Sequence, residues 1–216
     1  MTPAARERWR VGLPLFAASG AAWIALAAQW PVCSAHSLRA MTAHSALMFS
    51  AMMLPLVNAP LRHIRDRSFT QRRTRATAIF IVTYGAVWTA AGVVLMMIAA
   101  SIHAAIIVAA AMLWQFSPAK QRCLNRCHAH PELAAFGFAA DRDALRFGSA
   151  HAVWCAASCS GLMLLPMLAG RGEIAAMAAV TLWIASEKLE RASPPQWAWR
   201  GPAKAVRIAH YWLMNA

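Results

Sequence analysis

Six long apolar runs, separated by short basic segments, dominate this 216-residue sequence. A helix of about 20 apolar residues crosses the hydrocarbon core of a bilayer, and in lipid a helix satisfies its own backbone polar groups. The runs lie at residues 11–31, 42–59, 76–98, 101–117, 148–169 and 173–189. They predict an all-α, polytopic membrane helix bundle of about six transmembrane helices, forming a single integral membrane domain over residues 1–216.

The charges follow the pattern of a membrane protein. The chain has 21 basic and 8 acidic residues, and its basic residues stand between the apolar runs, which argues against nucleic acid as a partner. If the N-terminus is cytoplasmic, 19 basic residues lie inside and only Arg39 and Arg171 lie outside. The positive-inside rule therefore predicts a multi-pass protein of the plasma membrane with both termini in the cytoplasm.

Three segments outside the runs have predicted roles at the cytoplasmic side. Residues 60–75 are expected to form a basic loop near anionic lipid headgroups, and residues 118–147 form the longest connection. In the C-terminal tail, residues 203–214 mix basic and apolar side chains. This mixture predicts a short amphipathic helix lying in the membrane interface.

The fifth run carries a row of metal-ligand side chains at a constant spacing of four: His151, Cys155, Cys159, Met163 and Met167. Four residues of helix rise by roughly 6 Å and turn about 40° past one full turn, so the row winds slowly along one face. Cysteine with methionine favours Cu(I) among the transition metals. Methionine and cysteine also pack well in apolar helices, so a packing face is the alternative.

The second run repeats this spacing. His44, Met48 and Met52 recur at every fourth residue. If the second and fifth helices are neighbours, their two rows would form a line of soft ligands across the bilayer. The alternative is a methionine-rich packing face that ends at Pro55.

The 118–147 segment contains a third group of candidate ligands. Cys123 and Cys127 share one helix face, and His128 and His130 follow directly. Thiolates and an imidazole so close together would hold a metal such as copper or zinc. The alternatives are reduced thiols without a metal and a redox pair.

Enzyme signatures are absent from the sequence. It contains no GxxxxGK[ST], GxSxG or HExxH motif, and no acidic residue lies deep in an apolar run. The sequence therefore predicts neither an enzyme nor a carrier that works through a buried carboxylate.

Five short motifs occur in order along the chain. They are Ala51-Met52-Met53-Leu54-Pro55, Tyr84-x-x-x-Trp88, Gln115-x-Ser117-Pro118-x-Lys120-x-x-Cys123-Leu124-x-x-Cys127, Leu145-Arg146-Phe147-Gly148 and Glu187-Lys188-Leu189. Over roughly residues 40–190 they resemble a bacterial family of uncharacterised, predicted metal-binding integral membrane proteins.

The resemblance implies metal binding in a bacterial inner membrane. It assigns Cys123 and Cys127 to that family's cytoplasmic cysteine pair, and Met52, Met53 and Pro55 to its methionine–proline motif. Family members tend to have adjacent cysteines early in the fifth run. This chain has His151 there instead, followed by cysteines one turn apart, so its ligand number and geometry would differ.

These patterns lead to three functional hypotheses. The first, which the patterns favour most, is a membrane protein that binds a soft transition metal, with Cu(I) preferred, for transport across or delivery at the inner membrane. A metallochaperone or a larger membrane complex would be its partner. The second is a haem-binding redox protein with His44, His103 and His151 as axial ligands. The third is a structural or assembly subunit of a larger membrane complex.

Overall fold

The chain folds into helices joined by short connections. The computed structural model describes residues 3–28, 37–199 and 201. Its α-helices are α1 (Pro3–Ala28), α2 (Leu38–Met53), α3 (Asn58–Arg67), α4 (Arg73–Ser101), α5 (Ala104–Phe116), α6 (Pro118–Cys127), α7 (Gly137–Leu168) and α8 (Glu173–Leu189). The described residues contain no β-strand, so the prediction of an all-α chain is confirmed at that level.

Four helical segments are long and apolar enough to cross a membrane: Val11–Ala28, Leu38–Arg67, Thr70–Ser101 and Gly137–Leu168. The other two predicted spans correspond to α5, with 13 residues, and α8, with 17 residues. At about 1.5 Å per residue these two helices measure roughly 20 and 26 Å, less than the roughly 30 Å hydrocarbon core. Length and composition therefore support four of the six predicted spans.

The predicted basic loop at 60–75 is wrong, because most of it is helical. Pro55 lacks a backbone N–H, and a 3-10 turn at Leu54–Val57 follows α2. The chain then continues directly into α3, whose arginines are good helix formers. The long connection is also shorter than expected, since α7 begins at Gly137. The predicted interfacial helix at 203–214 lies outside the described residues.

The helices group into two compact units. The first contains Met1–Val93 and Ala129–Val153, and the second contains Val94–His128 and Trp154–Ala216. The prediction of one membrane domain over residues 1–216 stays a prediction.

Aromatic packing forms the core of the first unit. Phe80, Tyr84 and Trp88 of α4 are almost completely buried. The Tyr84 ring lies 5.5 Å from that of Phe49 on α2 and 5.6 Å from that of Phe80, between ring centroids. The Tyr84-x-x-x-Trp88 motif is therefore explained by packing.

Serine hydroxyls join the helices of the first unit. Ser19 of α1 donates to the carbonyl oxygen of Ala51 on α2 at 2.7 Å, and Ser45 of α2 donates to that of Thr89 on α4 at 3.0 Å. A Cβ atom at Gly92 would lie 2.0 Å from the Ser45 hydroxyl oxygen. The glycine therefore allows α2 and α4 to approach, as small residues do between apolar helices.

The second unit has a similar close approach between α5 and α7. A Cβ atom at Gly161 would lie 3.3 Å from the Trp114 ring and 3.5 Å from the Cα of Ala111. The Trp114 indole donates to the carbonyl oxygen of Ala157 at 3.0 Å. These contacts hold the cysteine-bearing part of α7 against α5.

Candidate functional site

A buried ion pair ties α6 to α8 in the second unit. The Lys120 ammonium lies 2.7 Å from one carboxylate oxygen of Glu187, and the two side chains are 0% and 3% exposed. Gln115 is hydrogen-bonded to both charged groups. Sequence alone favours a helix-end ion pair of Glu187 with the adjacent Lys188, and a contact to the 118–147 segment second. The structure has the second of these contacts, through Lys120.

His128 closes the other end of α6 against α8. Its Nδ1 lies 2.8 Å from the carbonyl oxygen of Leu124, and its Nε2 lies 3.0 Å from that of Lys188. Carbonyl oxygens only accept hydrogen bonds, so both ring nitrogens face acceptors. In this arrangement His128 links two helix ends, and its role as a metal ligand stays a prediction.

Three buried cysteines meet beside this junction. Cys127 comes from the end of α6, and Cys155 and Cys159 come from one face of α7. Cys155 is hydrogen-bonded to both other thiols. The Ser158 hydroxyl oxygen lies 3.5 Å from the sulfur of Cys159 and 3.9 Å from that of Cys127. We call Cys127, Cys155 and Cys159 the thiol cluster; all three are free thiols.

Lys188 brings a positive charge to the thiol cluster. Its ammonium group donates to the sulfur of Cys155 at 3.1 Å. Cys155 and Cys159 are 0% exposed, so the ammonium end of this partly buried lysine points into the protein. A cation next to a thiol favours the thiolate, which is the form that binds metals.

The two α6 cysteines have different surroundings. Two causes raise the pKa of the Cys127 thiol: the hydrogen bond to Cys155 is the larger, and burial is the second. Burial raises the pKa of Cys123, and the nearby Arg126 partly offsets this. In the described part of the chain, no hydrogen bond joins Cys123 to the thiol cluster. Cys127 contacts a cysteine of α7. The prediction that Cys123 and Cys127 bind a metal together stays a prediction.

The remaining candidate ligands lie in the first unit. His151 is 6% exposed, and its ring lies 5.7 Å from Tyr84, 5.7 Å from Phe147 and 6.1 Å from Phe80, between centroids. On α2, His44 is half-buried, and Met48 and Met52 are buried. Burial of His151, Met48 and Met52 fits both the ligand and the packing interpretation. Their role as ligands stays a prediction.

Two further candidate ligands, His103 and His130, are exposed. His103 is exposed and caps α5, where its Nδ1 accepts a hydrogen bond from the backbone N–H of Ala105 at 3.4 Å. Cys33 and His36 lie outside the described residues. His130 is exposed in the first unit and packs edge-on against His63, with ring centroids 4.9 Å apart.

The donors do not form a closed metal cage. Within residues 3–28, 37–199 and 201, no group of three or more His, Cys, Asp or Glu side chains is arranged to hold a metal ion. The thiol cluster therefore offers pairs of sulfur ligands around Cys155. Two thiolates are sufficient for Cu(I), whose soft character and low coordination number suit sulfur.

Comparison with known proteins identifies the relationship of the chain. The model of the PpoB2 family, described as copper chaperone, matches residues 42–209. The chain belongs to the PpoB2 family. The predicted relation to a metal-binding family is therefore confirmed as a relation to copper. The PpoB2 match includes every residue of the thiol cluster, and it favours copper over haem or zinc. No curated protein and no solved structure matches the chain.

Two members of this site were not predicted as parts of it. They are Lys188 and Ser158. A lysine one residue from the end of an apolar helix is typical of an interfacial anchor. Only the packing of α8 against α7 directs its ammonium group to Cys155, so the sequence contained no local signal for this role.

Proposed function

We propose that this protein is a membrane-embedded copper chaperone that carries Cu(I) as cargo on the thiol cluster. The observation that carries this proposal is the meeting of Cys127 from α6 with Cys155 and Cys159 from α7 around the Lys188 ammonium. These residues lie within the segment matched by the copper-chaperone family. The proposed role is delivery of copper at the inner membrane, to a metallochaperone or to a larger membrane complex.

The chemistry of the cluster suits transfer better than permanent storage. Cu(I) prefers thiolates, and neighbouring thiols allow one sulfur to replace another as a ligand. A metal must displace the proton of each cysteine that binds it, and the raised pKa of Cys127 strengthens proton competition there. We therefore expect Cys155, next to Lys188, to be the permanent ligand and Cys127 to be an exchangeable one.

We also propose that α1, the α2–α3 segment, α4, α5, α7 and α8 all enter the inner membrane, with both chain ends in the cytoplasm. The support is the length of four segments and the distribution of basic residues. In this arrangement α6 lies on the cytoplasmic side, with Cys127 of the thiol cluster at its end. Copper would be exchanged with a cytoplasmic partner there.

Single exposed cysteines test this topology. Glu132 and Arg171 are both exposed, and they are predicted to lie on opposite sides of the membrane. In a Cys33→Ser background, a membrane-impermeant maleimide added to intact cells should label Arg171→Cys and miss Glu132→Cys. After lysis, both variants should react. Labelling of Glu132→Cys in intact cells would reverse the proposed orientation.

The copper site is tested by comparing the two cysteines of α6. Cys127→Ser should weaken Cu(I) binding by more than about 10-fold, since losses of 10–100-fold follow removal of groups that only support a ligand. Cys123→Ser is the matched control, because it makes the same change one turn earlier on the same helix. It should leave the affinity unchanged. Competition with a chromophoric Cu(I) chelator measures both affinities.

The outcomes separate three possibilities. Equal losses in Cys123→Ser and Cys127→Ser would favour the helix-face pair over the thiol cluster. Loss in Cys127→Ser alone would support the cluster. Unchanged affinity in both variants and in Cys155→Ser would contradict copper binding at these cysteines.

A further inference from the structure

The thiol cluster contains a fixed positive charge next to its central sulfur. The Lys188 ammonium donates to Cys155 at 3.1 Å, and Cys155 is 0% exposed. The nearest residue in sequence that could neutralise it, Glu187, is engaged by Lys120 at 2.7 Å. The positive charge of Lys188 therefore lies at the sulfur side of this junction, next to the place where the charge of a metal–thiolate complex would form.

Cys155 is the central sulfur of the cluster, because Cys127 and Cys159 are both hydrogen-bonded to it. The smallest metal complex in the cluster therefore has two thiolates, Cys155 and either Cys127 or Cys159. Two thiolates with a monovalent metal carry one net negative charge, and two thiolates with a divalent metal carry none.

We propose that Lys188 makes the thiol cluster selective for monovalent soft metal ions. This inference rests on the proposed copper-binding function of the cluster. With Cu(I), the ammonium and the bis-thiolate complex neutralise each other. With a divalent ion the complex is already neutral, and the ammonium is left beside it without a counter-charge. An uncompensated charge in a buried setting is strongly unfavourable, so Lys188 disfavours the divalent ion.

Removal of the lysine charge reverses this preference. In Lys188→Met, a divalent complex is neutral and stable, whereas a monovalent complex leaves one buried negative charge without a partner. Lys188 is thus a specificity-determining residue that need not touch the metal. Its effect should appear in the ratio of the affinities for a monovalent and a divalent ion. General damage to the thiols weakens the binding of both ions and therefore leaves this ratio unchanged.

Silver(I) and cadmium(II) provide the test, since both are soft ions with filled d shells and differ in charge. The full-length protein in detergent is equilibrated with a chelator-buffered mixture of the two ions, and the bound ratio is measured by elemental analysis. Lys188→Met should shift the ratio towards cadmium by about 100–1,000-fold, the size expected for one unit charge roughly 4–6 Å away at an effective dielectric constant near 20. Lys188→Arg keeps the charge and should keep the preference for silver.

A second substitution keeps the test valid if Lys188→Met does not fold. Lys188→Gln retains a hydrogen-bond donor for Cys155 and removes the charge, so it should give the same shift. An unchanged ratio in the folded neutral variant would overturn the role of Lys188 while leaving copper binding intact. Failure of the wild-type protein to bind Cu(I) or silver(I) at its cysteines would overturn the proposed function itself.

Discussion

Replacement of Lys120 by methionine is expected to lower the free energy of unfolding by about 3–5 kcal/mol. Lys120 and Glu187 are 0% and 3% exposed and form an ion pair at 2.7 Å. Removal of Lys120 leaves the Glu187 carboxylate as an isolated charge in a poorly solvated site. Breaking a buried ion pair by removing one partner typically costs about 3–5 kcal/mol of stability. Unfolding of the purified protein in a denaturing detergent series measures the change.

Two controls identify the cause of that loss. Lys120→Met combined with Glu187→Gln removes both charges and should regain part of the stability, since no isolated charge remains. Arg75→Met breaks an exposed pair with Asp141, in which the arginine side chain is 68% exposed, and should change stability by only about 0–1 kcal/mol. A Lys120→Met variant as stable as wild type would show that the pair contributes nothing to the joining of α6 and α8.

The helical character of this chain could be predicted from its sequence, because the composition and length of each apolar run determine whether that run forms a helix. The start of α6 was equally readable, since Ser117 caps the helix and Pro118 occupies its first turn. The helix over residues 58–67 was missed because its many arginines were read as a lipid-binding loop. Charge indicates which side of a membrane a segment faces, and it does not exclude a helix.

The candidate site was predicted only in part, for a different reason. Spacing along one helix correctly indicated that Cys155 and Cys159 share a face of α7 and are buried. The same reasoning paired Cys127 with Cys123, which is its neighbour on α6. The partner of Cys127 is Cys155, 28 positions away, and such a tertiary contact leaves no periodic pattern in the sequence.

The complete burial of Cys155 fits both packing and ligation, and substitutions at Cys155 separate the two interpretations. We expect Cys155→Ser and Cys155→Ala to lose bound copper by more than the roughly 10–100-fold associated with outer-shell groups, even where folded protein is obtained. If Cys155 only packs, Cys155→Leu should lose about 1–3 kcal/mol of stability from the added volume, and Ala and Ser should be milder. Copper per folded molecule and folded yield in detergent are measured for each variant.

Met163 supplies the matched control on the same helix face. It is 3% exposed in the second unit, so Met163→Leu changes a buried side chain while nearly conserving its volume. A shift below about 1.5 kcal/mol is expected, with copper retained if the thiol cluster is the site. Copper loss in Met163→Leu would extend the site along α7 to the thioether. The opposing result is that copper falls only in proportion to folded yield in every Cys155 variant. That result would make this face of α7 a packing face, because a side chain that only fills the space of a ligand cannot bind the metal in its place.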